Sequence, residues 1–196
     1  CSSDLLQLLS LRERCVSARV AIEQSMAGVP GCTREINETL RKMRGLEARL
    51  ARRIEECTQR YWATEMARCR QIEGVGPMTS AALAAIYQRG SFRSSDAFIA
   101  FLGLDVQARD SGTQRGRRKL SKRGNAELRR LLYNAAMSAC RSATWQSYYQ
   151  RMLERGLKKT QALVALARKL ARVAFTLMKN GCDYQPQVRS GGCLST

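Results

Sequence analysis

The chain has 196 residues, with 34 Lys and Arg against 16 Asp and Glu and no histidine, so its formal net charge is +18 and its pI is near 10.3. A charge this large opposes compaction through self-repulsion, which points to a polyanionic partner, nucleic acid first and an anionic membrane second. With 44% hydrophobic residues a core can form, but no uncharged apolar run approaches the ~20 residues of a membrane-spanning helix.

The cysteine pattern excludes several kinds of site. The eight cysteines are scattered, with no two at CxxC spacing, and together with the absence of histidine this excludes the usual zinc arrangements. The absence of histidine also excludes a Ser-His or Cys-His nucleophile pair within this chain. We expect no signal peptide, and we expect reduced core thiols rather than disulfides. Because the first residue is Cys1 rather than Met, we expect the chain to be cut from a longer one.

Two long helices are predicted ahead of residue 63. Apolar residues at three- and four-residue steps predict a helix over Asp4–Ser25, ended by the breaker GVPG at residues 28–31. A second helix begins near Thr33 and carries a heptad seam with one polar interruption, formed by Ile36, Leu40, Met43, Glu47, Leu50, Ile54, Cys57 and Tyr61. The seam predicts a coiled coil, either folded back on the first helix or between two chains, and its four heptads slightly favour self-association. The alternative is an ordinary amphipathic helix of a monomeric bundle.

Residues 72–86, IEGVGPMTSAALAAI, have the helix-hairpin-helix pattern of a glycine turn followed by a helix of small residues. Gly74 and Gly76 permit the tight turn, and with Val75 they are expected to present backbone N–H groups at a helix N-terminus to a phosphate. Pro77 fits the first helical position, because the N–H that it lacks would be unpaired there anyway. The alternative is a plain glycine hairpin between two packed helices.

Four further helices are predicted, over residues 94–102, 125–141, 145–155 and 159–180. Ser94 to Asp96 and Asn125 are the expected N-caps of the first two, and the glycines at 103, 156 and 181 end three of the four. Residues 104–120 lack helical periodicity and predict an irregular loop that allows a short hairpin. The tail from Asp183 is expected to be disordered.

The positive charge begins abruptly at the Ser111-Gly112 step inside this loop. From Ser111 to Arg130 there are eight Lys and Arg and one acid, whereas residues 71–110 hold three basic and four acidic residues. From spacing alone, a Ser-Gly step after Asp is most often a turn. The alternative, a nucleophilic serine, depends on the wider pattern.

Four segments occur in an order and spacing that resemble a known family. They read GVGPMTSAALAAI from Gly74, FRSSDAFIAFLGL from Phe92, DSGTQRGRRKLSKRGNAELRRLLYNAA from Asp110 and TQALVALARKLARVAFTLMKNG from Thr160. Over about residues 60 to 182 the chain resembles the C-terminal transposase domain of insertion-sequence transposases that combine a RuvC-like DEDD domain with a catalytic serine. The Piv-type DNA invertases belong to the same group. The long helices before Ile72 resemble the linker coiled coil of that family.

The resemblance implies a recombinase acting on double-stranded DNA, in which the serine of the Ser-Gly step, here Ser111, attacks DNA and forms a phosphoserine intermediate. A RuvC-like domain of that family binds Mg²⁺ through four acids, and some members use a structured bridge RNA as a guide. Two features depart from the family. The sequence lacks the RuvC-like domain, and Gly103-Leu104 is followed by Asp105-Val106, where members often have Pro.

The residues around Ser111 fit the chemistry that the resemblance implies. A serine hydroxyl needs a base or a cationic environment, and phosphoryl transfer builds negative charge that basic side chains stabilise. The expected nucleic-acid contacts are Arg115, Arg117, Arg118, Lys119, Lys122, Arg123, Arg129 and Arg130. Without histidine, the base must be a carboxylate, a metal-bound water or a group outside this chain. Ser121 is the second serine of the loop and is interpreted as a helix cap or a phosphate contact.

We therefore expect a mainly α fold, in which a long helical coiled-coil hairpin precedes a compact helical domain with a helix-hairpin-helix motif and an irregular serine-bearing loop. The expected units are a linker and dimerisation region at 1–62, a transposase domain at 63–182 and a disordered tail at 183–196. The expected partners are double-stranded DNA, a guide RNA and further copies in a dimer or tetramer, with no membrane.

The expected location is the bacterial cytoplasm, at the nucleoid. The chain is expected to hold no cofactor and to be inactive alone, with Mg²⁺ in the RuvC-like domain. The alternative functions are a non-catalytic helix-hairpin-helix binding module or a truncated transposon remnant. A structural RNA-binding protein is a third class, and it is favoured by charge only.

Overall fold

In the computed structural model the chain is mainly helical, as the sequence predicts, and the structure describes residues 2–26, 33–107 and 119–186. The helices are α1 (Ser2–Ser25), α2 (Thr33–Arg70), α3 (Pro77–Arg89), α4 (Ser95–Phe101), α5 (Ala126–Ala139), α6 (Ala143–Glu154) and α7 (Lys159–Asn180). Two short strands, β1 (Val106–Gln107) and β2 (Lys119–Leu120), pair in antiparallel fashion. None of the helices in these ranges is long and apolar enough to cross a membrane.

The first two helices form an antiparallel hairpin, which is the folded-back form of the predicted coiled coil. Arg19 pairs with Glu47 at 2.8 Å, and Arg44 pairs with Glu23 at 2.6 Å, which fixes the direction of the two helices. The seam residues Leu40, Leu50 and Ile54 are buried, and so is the polar interruption, Glu47. Tyr61, the last seam position, is 48% exposed. Packing within one chain thus accounts for most of the seam, and self-association remains a prediction.

Helix α3 lies at the centre of the molecule. Its residues from Thr79 to Ile86 are all buried, and their small side chains let α1, α2, α5 and α7 approach closely. Pro77 occupies the start of the helix, as predicted. Gly74, in the turn before it, has a φ of +86°, and a Cβ there would lie 2.5 Å from the carbonyl oxygen of Ala135 on α5. Glycine is therefore required at this position by both conformation and packing.

The predicted helix caps are confirmed, and one further cap shifts a boundary. Ser94 accepts from the N–H of Ala97 at 3.2 Å, and Asn125 accepts from the N–H of Glu127 at 2.8 Å. Helix α6 begins two residues earlier than predicted, because Ser142 caps it by accepting from Trp145 N–H at 3.4 Å. The apolar face of α5 is buried; it consists of Leu128, Leu131, Leu132, Ala135, Ala136 and Ala139.

One hydrophobic core runs from the hairpin into the later helices. It includes Leu5 and Leu9 of α1, Ile54 of α2 and Leu170 of α7. Helix α2 bends at Trp62 (φ −145°, ψ 34°), where the sequence places a domain boundary, but the core crosses this point. The division into residues 1–62 and 63–182 therefore stays a prediction.

The segment after α7 packs on the α2–α3 turn. Tyr184 N–H donates to the Gln71 side chain at 2.6 Å, and the Tyr184 ring stacks on Trp145 with 6.4 Å between ring centroids. Asp183 and Tyr184 are thus held against the fold, although the sequence predicts a disordered tail from Asp183. The prediction failed because the local sequence is polar and lacks periodicity. The contacts that hold the segment join it to residues more than a hundred positions away or on another helix. Residues 187–196 lie outside the described residues.

Candidate nucleic-acid interface

The serine loop is closed at its neck by the short hairpin that the sequence allows. Val106 lies opposite Leu120 and Gln107 opposite Lys119, and Ser121 N–H donates to the Asp105 carbonyl at 2.9 Å. The residues that flank segment 108–118 on either side are therefore held next to each other. Four predicted site residues lie outside the described residues: Ser111, Arg115, Arg117 and Arg118. Lys119 contributes its backbone to β2, and its side chain also lies outside the described part.

A side-chain pair reinforces this neck. The Ser121 hydroxyl donates to the Asp105 carboxylate, and the Arg123 N–H approaches the same hydroxyl oxygen at 3.5 Å. Ser121 is therefore neither the cap of α5, a role taken by Asn125, nor free to contact a phosphate, because its hydroxyl is engaged by a carboxylate. Sequence reasoning missed this role of Asp105; the only available signal was its position where the family often has Pro.

Two glycines cross directly beneath the neck. Gly103 has a φ of +69°, and a Cβ there would lie 2.5 Å from the N of Gly124. The Arg129 guanidinium donates to the Gly124 carbonyl oxygen, which fixes this crossing from the side of α5. One N–H of Arg129 thus bonds to the protein backbone, and its predicted contact with nucleic acid stays a prediction. Lys122, between the neck and the crossing, adopts a left-handed φ of 54°.

The predicted basic residues whose side chains are described here fall into two groups, according to whether they bond to the protein. Arg130 pairs with Glu127 at 2.7 Å and also with Glu13 of α1. The hydrogen bond with Glu127 is the main cause that raises the pKa of Arg130, although partial burial opposes it. Lys122 and Arg123 are exposed, and their side chains form no ion pair within the described ranges. Charge is thus presented to solvent by Lys122 and Arg123, whereas Arg129 and Arg130 hold the structure together.

In the glycine hairpin before α3, fewer backbone N–H groups are free to bind a phosphate than the sequence predicts. Val75 N–H donates to the Ile72 carbonyl at 3.0 Å, so it is not available to a phosphate. Gly74 faces α5, whereas a Cβ at Gly76 would meet nothing within 4 Å. Gly76 and the start of α3 are thus the open part of the turn. No side chain caps this helix start.

Glu73, in the same turn, is a feature that sequence reasoning missed. Its carboxylate accepts from the Thr144 hydroxyl at 2.5 Å and from the Tyr184 hydroxyl at 3.2 Å. Burial and the neighbouring Glu73 raise the pKa of Tyr184, so the phenol stays protonated and keeps donating. A carboxylate held in this turn opposes an anion at the adjacent helix start.

Two arginines of α7 differ in their contacts. Arg172 pairs with Asp96 of α4 at 2.5 Å. The Nε atom of Arg168 is buried and has no hydrogen-bond partner among the described residues. The ion pair thus offsets part of the charge of Arg172.

The described residues do not form a metal site. They contain no group of three or more His, Cys, Asp or Glu that could hold an ion. The four-acid Mg²⁺ site that the resemblance implies does not fit them, so no step is routed through a metal here. The described cysteines are free thiols, of which Cys69 is buried and Cys182 is exposed. The prediction of core thiols therefore fails at Cys182.

One family model and several curated proteins are similar to parts of this chain. Residues 66–150 match the model described as the Transposase IS116/IS110/IS902 family, a range that contains α3, α4, the neck and α5. A probable family 20 transposase from Pseudomonas aeruginosa is 31% identical over 159 residues, which cover 78% of this chain and 46% of that protein.

Two insertion-element proteins are also similar. The uncharacterized 43.6 kDa protein of insertion element IS110 from Streptomyces coelicolor is 29% identical over 166 residues, covering 83% of this chain and 39% of that protein. The uncharacterized 42 kDa protein of insertion element IS900 from Mycobacterium paratuberculosis is 32% identical over 97 residues, covering 49% of this chain and 24% of that protein. The chain thus spans less than half the length of these relatives.

Proposed function

From the match of residues 66–150 to the Transposase IS116/IS110/IS902 family, we propose that this chain is part of a DNA transposase that uses Ser111 as its nucleophile. The observation that supports the proposal most is the neck of the serine loop. It ties both ends of segment 108–118 to the core and leaves Lys122 and Arg123 exposed beside it. A nucleophile in this loop would be carried on a fixed base and would act in a positive field.

In the proposed reaction the Ser111 oxygen attacks a DNA phosphorus atom. A serine–phosphate ester bond forms as the bond from phosphorus to the leaving sugar oxygen breaks. The hydroxyl proton passes to a base, and the sugar oxygen takes up a proton. Lys122 and Arg123 stabilise the negative charge that builds on the phosphoryl oxygens, together with the basic residues of segment 108–118.

The base is proposed to come from outside the described residues. Asp105 already accepts the Ser121 hydroxyl proton, and histidine is absent from the sequence. A RuvC-like domain holding Mg²⁺, as the family resemblance implies, would complete the site. This chain would then carry half of a composite active site and would be inactive alone.

The proposed partners follow from charge and family. Double-stranded DNA is the substrate, a structured guide RNA is a further partner, and copies of the protein assemble as a dimer or tetramer. A place at the bacterial nucleoid is consistent with a net charge of +18.

Covalent trapping of DNA on the full-length protein tests the proposal. We expect Ser111→Ala to abolish the protein–DNA adduct seen on a denaturing gel while leaving DNA binding within about twofold. Ser147→Ala, which changes an exposed serine of α6, is the matched control, and it should keep the adduct. Normal adduct formation or normal transposition by Ser111→Ala would refute the nucleophile. Salt-sensitive binding without any adduct, even with the RuvC-like domain supplied, would favour the non-catalytic binding module.

A further inference from the structure

The outer face of α2, opposite the seam that packs on α1, carries an unpaired cationic cluster. Arg41, Arg49 and Arg52 lie on this face around Gly45, as the helical period of 3.6 residues requires. All three arginines are exposed. Across the ranges that the structure describes, none of the three side chains has an ion pair or a hydrogen bond.

The acids of this face are neutralised from its flank. Glu38 pairs with Lys42 at 2.7 Å, and Glu56 pairs with Arg53 at 3.6 Å. The flanking cations thus satisfy the acids, and the three arginines keep their full charge. Arg49 and Arg52 are one turn apart and repel each other, which disfavours the helix unless an anion lies against them.

Gly45 is the second observation that marks this face. Glycine in a helix interior lowers helix stability, so its presence calls for a reason. A Cβ at this position would meet only the Nη1 atom of Arg49, at 3.7 Å, so packing within the chain does not require glycine. A glycine in the middle of an open cationic face allows a bulky anionic backbone to approach the helix closely.

We propose that this arginine face, formed by Arg41, Gly45, Arg49 and Arg52, binds the sugar-phosphate backbone of double-stranded DNA. The proposal rests on the proposed function only in taking nucleic acid as the partner, and the serine loop is not part of this face. Eleven residues separate the outer arginines, which is about 16 Å of helix. That length matches about five base-pair steps of 3.4 Å. The contacts reach phosphates, so binding is independent of base sequence.

A pair of double variants in the full-length protein tests the arginine face. Arg41→Gln with Arg52→Gln removes two charges from it, and the control, Arg155→Gln with Lys159→Gln, removes two exposed charges between α6 and α7. Binding of a labelled DNA duplex and of a labelled RNA stem-loop is measured by fluorescence anisotropy across a salt series. We expect the first variant to bind the duplex about tenfold more weakly, with a salt slope lower by about 2.

The outcomes separate the possible explanations. A loss with the duplex supports the proposal, and a loss with the stem-loop alone would overturn the assignment to DNA. The control variant should bind the duplex within about twofold of wild type. An equal loss in both variants, or no loss in either, would overturn the proposal, because total charge or another surface would then be sufficient. This assay does not depend on adduct formation through Ser111. A result that overturns the arginine face therefore leaves the proposed nucleophile unaffected.

A steric variant tests the same face without a change of charge. Gly45→Leu adds a good helix former in open space, so the circular dichroism spectrum should be unchanged and the melting temperature should not fall. The bulk at the centre of the face should weaken nucleic-acid binding several-fold. The assignment would be overturned if this variant bound nucleic acid as wild type does. It would also be overturned if the variant changed its oligomeric mass instead of losing binding.

Discussion

Cys69 lies in the core, where burial and, less strongly, Glu65 raise the pKa of its thiol to about 12. Because this pKa is higher than in the unfolded chain, the thiol stabilises the fold fully at neutral pH. The contribution falls as the pH rises from about 9 toward 12. Relative to Cys69→Ala, the unfolding free energy of wild type should fall by up to about 1.4 kcal/mol per pH unit in this window. Urea denaturation at several pH values measures the difference, and a constant difference would contradict the burial of the thiol.

Other residues at this scale act through partners that are distant in sequence. Asp105 with Ser121 and Arg129 with the Gly124 carbonyl hold the neck of the serine loop, and Glu73 joins Thr144 to Tyr184. Sequence spacing indicates which residues lie on one helix face, but it does not locate a contact between two separate segments. For this reason the basic run was predicted as one nucleic-acid surface, and the bonds of Arg129 and Arg130 to the protein were not foreseen.

Helix-scale features were predicted well, because their signals are local. The end of α7 at Gly181, the cap at Asn125 and the buried face of α5 follow from a few neighbouring residues. The α1–α2 hairpin was one of two open alternatives, because the same heptad seam can pack within one chain or between two. Choosing between them required the ion pair of Arg19 with Glu47.

The turn between α2 and α3 provides a matched pair of glycine variants. Gly74→Ala should destabilise the protein by about 3 kcal/mol or more, because the left-handed φ and the contact with α5 both exclude a methyl group. Gly76→Ala should change stability by less than about 0.5 kcal/mol, because its Cβ would meet nothing within 4 Å. Thermal or urea unfolding compares the two. Equal losses would mean that Gly74 is not packed against α5.

The polar layer of the α1–α2 hairpin predicts strong coupling between its two members. Glu47 is 9% exposed and accepts from Arg19 at 2.8 Å. Arg19→Leu leaves this carboxylate buried without its partner, so the variant should melt below wild type. Adding Glu47→Leu removes the buried charge, and the double variant should recover much of the loss. Additive losses in the double-mutant cycle would contradict an intramolecular pair.

The whole molecule combines one shared core with a net charge of +18. Several basic residues are paired with acids on the surface, but an excess of positive charge remains. Its self-repulsion opposes the folded state. We expect the melting temperature of the isolated protein to rise by a few degrees between about 50 and 300 mM NaCl, because salt screens the self-repulsion. Scanning calorimetry measures it. A fall in the same range would mean that attractive ion pairs dominate the surface electrostatics.

The central claim concerns which atom becomes linked to DNA, and peptide mapping of a trapped adduct tests it most directly. Full-length protein is incubated with substrate DNA, the DNA is digested to the linked phosphate, and tryptic peptides are fragmented in a mass spectrometer. Cleavage after Arg109 and Arg115 releases DSGTQR, residues 110–115, which also contains Thr113. We predict the added phosphate on Ser111. A phosphate on Thr113, on Ser121 or outside residues 108–118 would contradict the assignment.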